Sequence, residues 1–114
     1  MHRSSPLALL VLATFLAPAA QAACEYPANV TIPEGKSASQ EEITAASAAV
    51  KKYLADMEAY TACLDAEVAV VPVEQQTPEV KAMHVKRYNA AVDAMETTAN
   101  AFNEQLRAFK AAKK

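Results

Sequence analysis

Along two long stretches of this chain, apolar residues recur in alternating steps of three and four. The first stretch runs Ile43, Ala46, Val50, Tyr53, Met57, Tyr60, Leu64, and the second runs Val85, Tyr88, Val92, Met95, Ala99, Phe102, Leu106, Phe109. Such steps average about 3.5 residues, the period of a helical seam packed on another helix. Lys51, Lys52, Asp56, Glu58 and Asp65 fall off the first seam, as a solvated helix face requires. Of the six aromatic residues after position 22, five lie on the seams, so the bulk of the chain goes into helix–helix packing. The pattern predicts an all-α fold, an antiparallel two-helix hairpin.

Local signals set the ends. Ser39 followed by Glu42 is a capping box, Glu41 adds negative charge to the first turn, and an alanine-rich stretch free of Gly and Pro carries a first helix over about 40–68. A β-branched run and Pro72 then end it, leaving a short connection suited to antiparallel neighbours. Thr77 is a natural N-cap, Pro78 suits the first helical position and Glu79 complements the dipole, so a second helix is expected over about 78–112. Arg107, Lys110, Lys113 and Lys114 at its end complement the opposite pole. Folded at the connection, the seams place Tyr60 near Tyr88, Tyr53 near Met95, Val50 near Ala99, Ala46 near Phe102 and Ile43 near Leu106. Small faces large at several layers, which permits close packing. A lone hairpin leaves its seam edges open, and the pattern leaves open whether a second copy completes a four-helix bundle.

Residues 23–38 contain Pro27, Pro33 and the sole glycine, Gly35, and read as an irregular lead-in to the 39–112 hairpin. Its Tyr26, Val30 and Ile32 are placed to pack onto the helices as the segment passes over them. Residues 1–22 have the three parts of a cleavable export signal: Arg3, an apolar run from Leu7 to Ala17, and Ala20-Gln21-Ala22 before the cut near Ala22. The run falls short of the roughly 20 apolar residues a membrane-spanning helix needs. A periplasmic protein without a membrane span is the expectation. Cys24 follows the small residues as a lipid-attachment cysteine would, but Gln21 stands where that pattern wants an aliphatic residue.

The chain carries 11 Lys+Arg against 13 Asp+Glu, a net charge of −2, and loss of Arg3 with the leader makes the remainder more acidic. That balance supplies no basic face for nucleic acid. The 2 cysteines allow one intramolecular pairing, Cys24 with Cys63, as expected in a small exported domain. Ser39 to Cys63 spans ~36 Å as helix, and Cys24 to Ser39 can reach ~50 Å extended, so the lead-in is long enough to run back along the first helix. Closing that loop is worth about 4 kcal/mol in the chain-entropy description.

Catalytic and metal chemistry find little support. His84 lies beside the second seam, and Ser37, Ser39 and Ser47 sit toward the other end of the hairpin, so no Ser-His-Asp constellation converges. No Cys-x-x-Cys, His-x-x-x-His or Glu-x-x-His spacing occurs, and both cysteines are spent on each other. A single glycine excludes calcium loops and glycine-rich phosphate loops, and Asp93 with Glu96 reads as a solvated polar face. Tyr53, Tyr60 and Tyr88 cluster at one end, where aromatics at helical spacing serve as core. No catalytic, cofactor-binding or metal-ligating residue is expected, and no cofactor. The candidate contact surface is the connection: Val70, Val71 and Val73 form an apolar tip for a partner if they do not tuck back over Leu64 and Val80.

Several local runs occur together: Ile32-Pro33-Glu34-Gly35, Tyr60 with Cys63-Leu64, Arg87-Tyr88-Asn89-Ala90-Ala91-Val92, and Phe102-Asn103 with Arg107 and Lys110. In these the chain, from about Cys24 to Lys110, resembles a group of small uncharacterised exported helical proteins of proteobacteria. The resemblance implies a periplasmic location and an α-hairpin, and no activity or functional residue comes with it. The function expected is therefore non-enzymatic: protein binding or self-association in the periplasm, with a homodimer or another periplasmic protein as partner. The alternative is a small stress chaperone or adaptor offering an apolar helical groove to clients, with the Cys24–Cys63 clip as its switch. An enzyme or cofactor carrier would need converging polar groups that the sequence does not supply.

Overall fold

A computed structural model describes residues 23–113; the export signal read over 1–22 lies outside the described residues. Helix α1 spans Gln40–Ala69 and helix α2 spans Pro78–Ala112. They pack as an antiparallel hairpin, with the 23–39 segment laid over them as an extended strap. The fold is all-α, and Cys24 and Cys63 form a disulfide.

The ends of the helices are fixed by side chains rather than by glycine. Ser39 Oγ accepts from the Glu42 N–H at 3.1 Å, and Thr77 Oγ1 accepts from the Val80 N–H at 3.2 Å, each satisfying one of the orphan donors of a first turn. At the end of α1 there is no glycine to supply a left-handed cap. The Gln76 amide replaces it, donating to the carbonyls of Val68 at 3.3 Å and Val71 at 2.9 Å. That side chain ties the connection, with its single 3-10 turn Val73–Gln75, back onto the helix it leaves. At the far end Lys110 lies in the last turn of α2, and the Lys113 ammonium sits 5.1 Å over the Phe109 ring.

The α1 seam is buried throughout: Ile43, Ala46, Val50, Tyr53, Met57, Tyr60 and Leu64, with Met57 at 0 % and Leu64 at 1 % exposure. Three clusters follow one another along the hairpin. Near the connection Tyr53, Met57, Tyr60 and Leu64 gather around Ala91, with Tyr88 and Met95 at the edge. In the middle Ala46 and Val50 share a cluster with Phe102, and toward the strap's turn Ile43 joins Phe109 and Ala38. Val30 and Ile32 of the strap pack against these clusters, so the strap is part of the core.

The second seam differs from the expected one. Ala91 is fully buried, whereas Val85 is 54 % exposed and Val92 is only half-buried. What α2 buries is Ala91, Phe102 and Phe109, and it faces the strap as well as α1, a neighbour that periodicity does not register. Gly35 shows how close that approach is. Its N–H donates to Gln105 Oε1 at 2.8 Å, and a Cβ built on it would stand 1.9 Å from the Gln105 carbonyl oxygen. The chain has no residue at positive φ among those described, so glycine is required here for space and not for its conformational freedom.

Candidate functional site

The connected end of the hairpin collects most of the molecule's unusual side chains. Its foundation is the disulfide, with Cα atoms 5.7 Å apart, which pins the start of the strap to α1. Two residues on, Tyr26 sets its ring edge-on to Tyr60, with centroids 5.2 Å apart and planes at 79°. Partial desolvation of a ring still about half exposed holds the Tyr26 phenol above its ordinary range, and the neighbouring Tyr53 and Tyr60 phenols add to the shift. On the same flank the Arg87 guanidinium is held in its charged form first by the Tyr60 phenol and then by Glu67, whose Oε2 lies 2.9 Å from Arg87 Nη1. Partial desolvation opposes this and is outweighed.

A second cross-helix pair closes the other flank. His84 Nε2 lies 3.1 Å from Asp65 Oδ1, and its ring is tilted against Tyr88 at 6.1 Å. The pair is an imidazole with an orienting carboxylate, two thirds of a hydrolytic triad. Among the described residues no serine stands near it, Ser47 being ~27 Å of helix away from Asp65, and the Thr61 hydroxyl, one turn from Asp65, donates instead to the Glu58 carbonyl at 2.9 Å. With Arg87–Glu67, the His84–Asp65 contact makes two cross-helix polar pairs near the connection. Asp93 and Glu96 are both exposed on α2.

Beyond these pairs the surface turns apolar. Val70 is 61 % exposed, Val73 81 %, Met83 55 % and Val85 54 %. Among the described residues only Tyr26 joins them as a large hydrophobic so exposed. Val71 behaves differently from its neighbours. It is half-buried and turns inward, lining a groove of about 340 Å³ with Val68, Val80, Met83, His84 and Arg87. The valine tip read from the sequence is thus divided: Val70 and Val73 point to solvent, and Val71 forms a wall.

Three contributors do not stand out in the sequence. Met83 lies off the second seam, Val85 continues that seam as a core residue would, and Glu67 is four residues after Cys63, which puts both on one face of α1. The ligating atoms of Cys24, Cys63 and Glu67 all lie within 4.8 Å of one another.

Fold and site together define a disulfide-clipped helical hairpin with an apolar, ion-paired end. No protein-family model matches the chain, and neither a curated protein nor a solved structure is similar to it.

Proposed function

We propose that this is an exported, non-enzymatic protein that acts in the periplasm by binding protein, either another periplasmic protein or a second copy of itself, through the connected end of the hairpin. The observation that carries this reading is the concentration of Val70, Val73, Met83 and Val85 beside a groove walled by Val68, Val71 and Val80. Apolar patches of this kind, rimmed by charges such as Glu67, Glu79 and Arg87, mark contact surfaces. The disulfide is compatible with an oxidising compartment, and no helix among the described residues is long and apolar enough to cross a membrane.

The test compares residues 23–114 with the double variant Val73→Asp/Val85→Asp. Light scattering across concentration reads self-association, and affinity capture from a periplasmic extract reads partners. The unaltered protein should self-associate or capture a discrete partner, and the variant should do neither while keeping its helical circular dichroism. Identical behaviour of the two proteins in both assays sinks the proposal.

A second reading, a small chaperone or adaptor, is favoured by one further observation. A groove of about 410 Å³ between Ile43, Ser47, Phe102 and Leu106 has no strap residue in its lining, so an extended client segment would find an apolar cleft there. Protection of an unfolding client from aggregation, altered by reductant, distinguishes this reading from the first.

A further inference from the structure

The clip itself carries chemistry that the oxidised protein does not use. Cys24, Cys63 and Glu67 present two sulfurs and a carboxylate oxygen, all within 4.8 Å of one another. Helix spacing explains the pair on α1, since residues four apart share a face, and the strap delivers the third group across it. All three residues are half-buried, accessible to an ion yet partly shielded from water. We propose that reduction of the Cys24–Cys63 bond converts the clip into a three-ligand site for a zinc-class divalent cation, with Cys24 and Cys63 as thiolate ligands and Glu67 as the carboxylate ligand.

The steps balance with a thiol or phosphine as reductant. It donates two electrons, the S–S bond breaks, two thiols form with protons from solvent, and the reductant leaves oxidised. The cation then displaces both thiol protons to solvent, forms two metal–sulfur bonds and one metal–oxygen bond, and keeps a water in the fourth position. Two thiolates select zinc or a similarly soft ion over magnesium and calcium, which take oxygen ligands.

Preorganisation is what distinguishes this set from any reduced cysteine pair. The strap is held by contacts that survive loss of the bond: Tyr26 on Tyr60, Val30 and Ile32 in the core, and Gly35 on Gln105. Cys24 therefore stays beside Cys63 after reduction. Arg87 Nη1 engages one oxygen of Glu67, Oε2, at 2.9 Å, so the carboxylate keeps a second oxygen for an ion. An open groove of about 650 Å³, lined by Tyr26, Asp56, Tyr60 and Cys63 among others, gives reductant and ion a path from solvent. The site shares Glu67 with the rim of the partner surface, but metal uptake and partner binding are read by different assays, so the failure of one is distinguishable from the failure of the other.

The test uses residues 23–114, reduced with a phosphine, freed of reductant anaerobically and titrated with Co²⁺, followed by competition with Zn²⁺. The expected result is one cobalt per chain with thiolate-to-cobalt charge-transfer absorption, displaced by zinc, and none in the oxidised protein. Glu67→Gln should weaken binding at least about tenfold, while Arg87→Gln, which breaks the same ion pair but keeps the carboxylate, should bind within a few-fold of the unaltered protein. Absence of charge-transfer absorption, one ion per two chains, or equal affinity of Glu67→Gln and the unaltered protein overturns the site. So does an Arg87→Gln loss as large as that of Glu67→Gln, because the effect would then belong to the ion pair.

Discussion

Replacing Gly35 by alanine separates a strap that is packed into the fold from one that merely lies on it. A Cβ at this position meets the Gln105 carbonyl oxygen at 1.9 Å, the Gln105 carbonyl carbon at 2.9 Å and the Phe109 nitrogen at 2.9 Å. All three are backbone atoms of a continuous helix, so the helix cannot yield by a change of rotamer and the strap must lift. Overpacking of this kind costs about 1–3 kcal/mol. Lifting also lengthens or breaks the Gly35 N–H to Gln105 Oε1 bond at 2.8 Å, worth a further 0.5–1.5 kcal/mol or so. One effect opposes them. Because no described residue has positive φ, alanine is conformationally permitted and stiffens the unfolded chain, returning about 0.4–1 kcal/mol. The clash wins, and a net loss of about 0.5–4 kcal/mol is expected. The measurement is urea unfolding of oxidised residues 23–114 followed by circular dichroism, with Gln105→Ala beside it to isolate the hydrogen bond. Gly35→Ala at or above the stability of the unaltered protein would refute the close approach of strap and α2.

Two further outcomes follow from the core and from the phenol cluster. Met57, fully buried among Tyr53, Tyr60, Leu64 and Ala91, should lose about 2–5 kcal/mol on change to alanine, read from the same unfolding curves; a loss below the lower bound would mean the seam collapses around the gap. The raised pKa of Tyr26 has a definite sign. Below the ordinary phenol value of 10.0 both states are protonated and its contribution is complete, while above it the unfolded chain ionises first, so stability falls as pH rises through the folded value. Tyr26→Phe should therefore lose less stability than the unaltered protein in alkaline unfolding series, and parallel curves for the two would refute the assignment.

Much of this architecture is legible in the sequence because it depends on local or elementary constraints. The α1 seam is a run of regular steps, the helix starts at Ser39 and Thr77 are short motifs, and a pair of cysteines has one way to pair. What escapes is produced by the strap meeting both helices at once. Val85 continues a periodic pattern yet faces solvent. The Gly35–Gln105 contact joins positions 70 residues apart, and nothing in either neighbourhood announces it. At the candidate surface Val70 and Val73 stand out as valines near a proline. The inward turn of Val71 does not, because it follows from the amide of Gln76 gripping two carbonyls. Glu67 is legible from its spacing to Cys63, one helical turn away on the same face.

The placement of the disulfide has a consequence for covalent topology. Cys24 and Cys63 are 39 positions apart, and the ring they close contains the strap and most of α1 but no part of α2. In the oxidised unfolded chain, strap and α1 are already confined to one ring while α2 trails from it as a free tail. The bond's entropic benefit therefore acts directly on strap–α1 docking, and α2 must gain its place through noncovalent contacts at Ala91, Phe102, Gln105 and Phe109. Gly35 bonds across to Gln105 from inside that ring, so this close backbone approach is also a junction through which the ring's restriction reaches the tail.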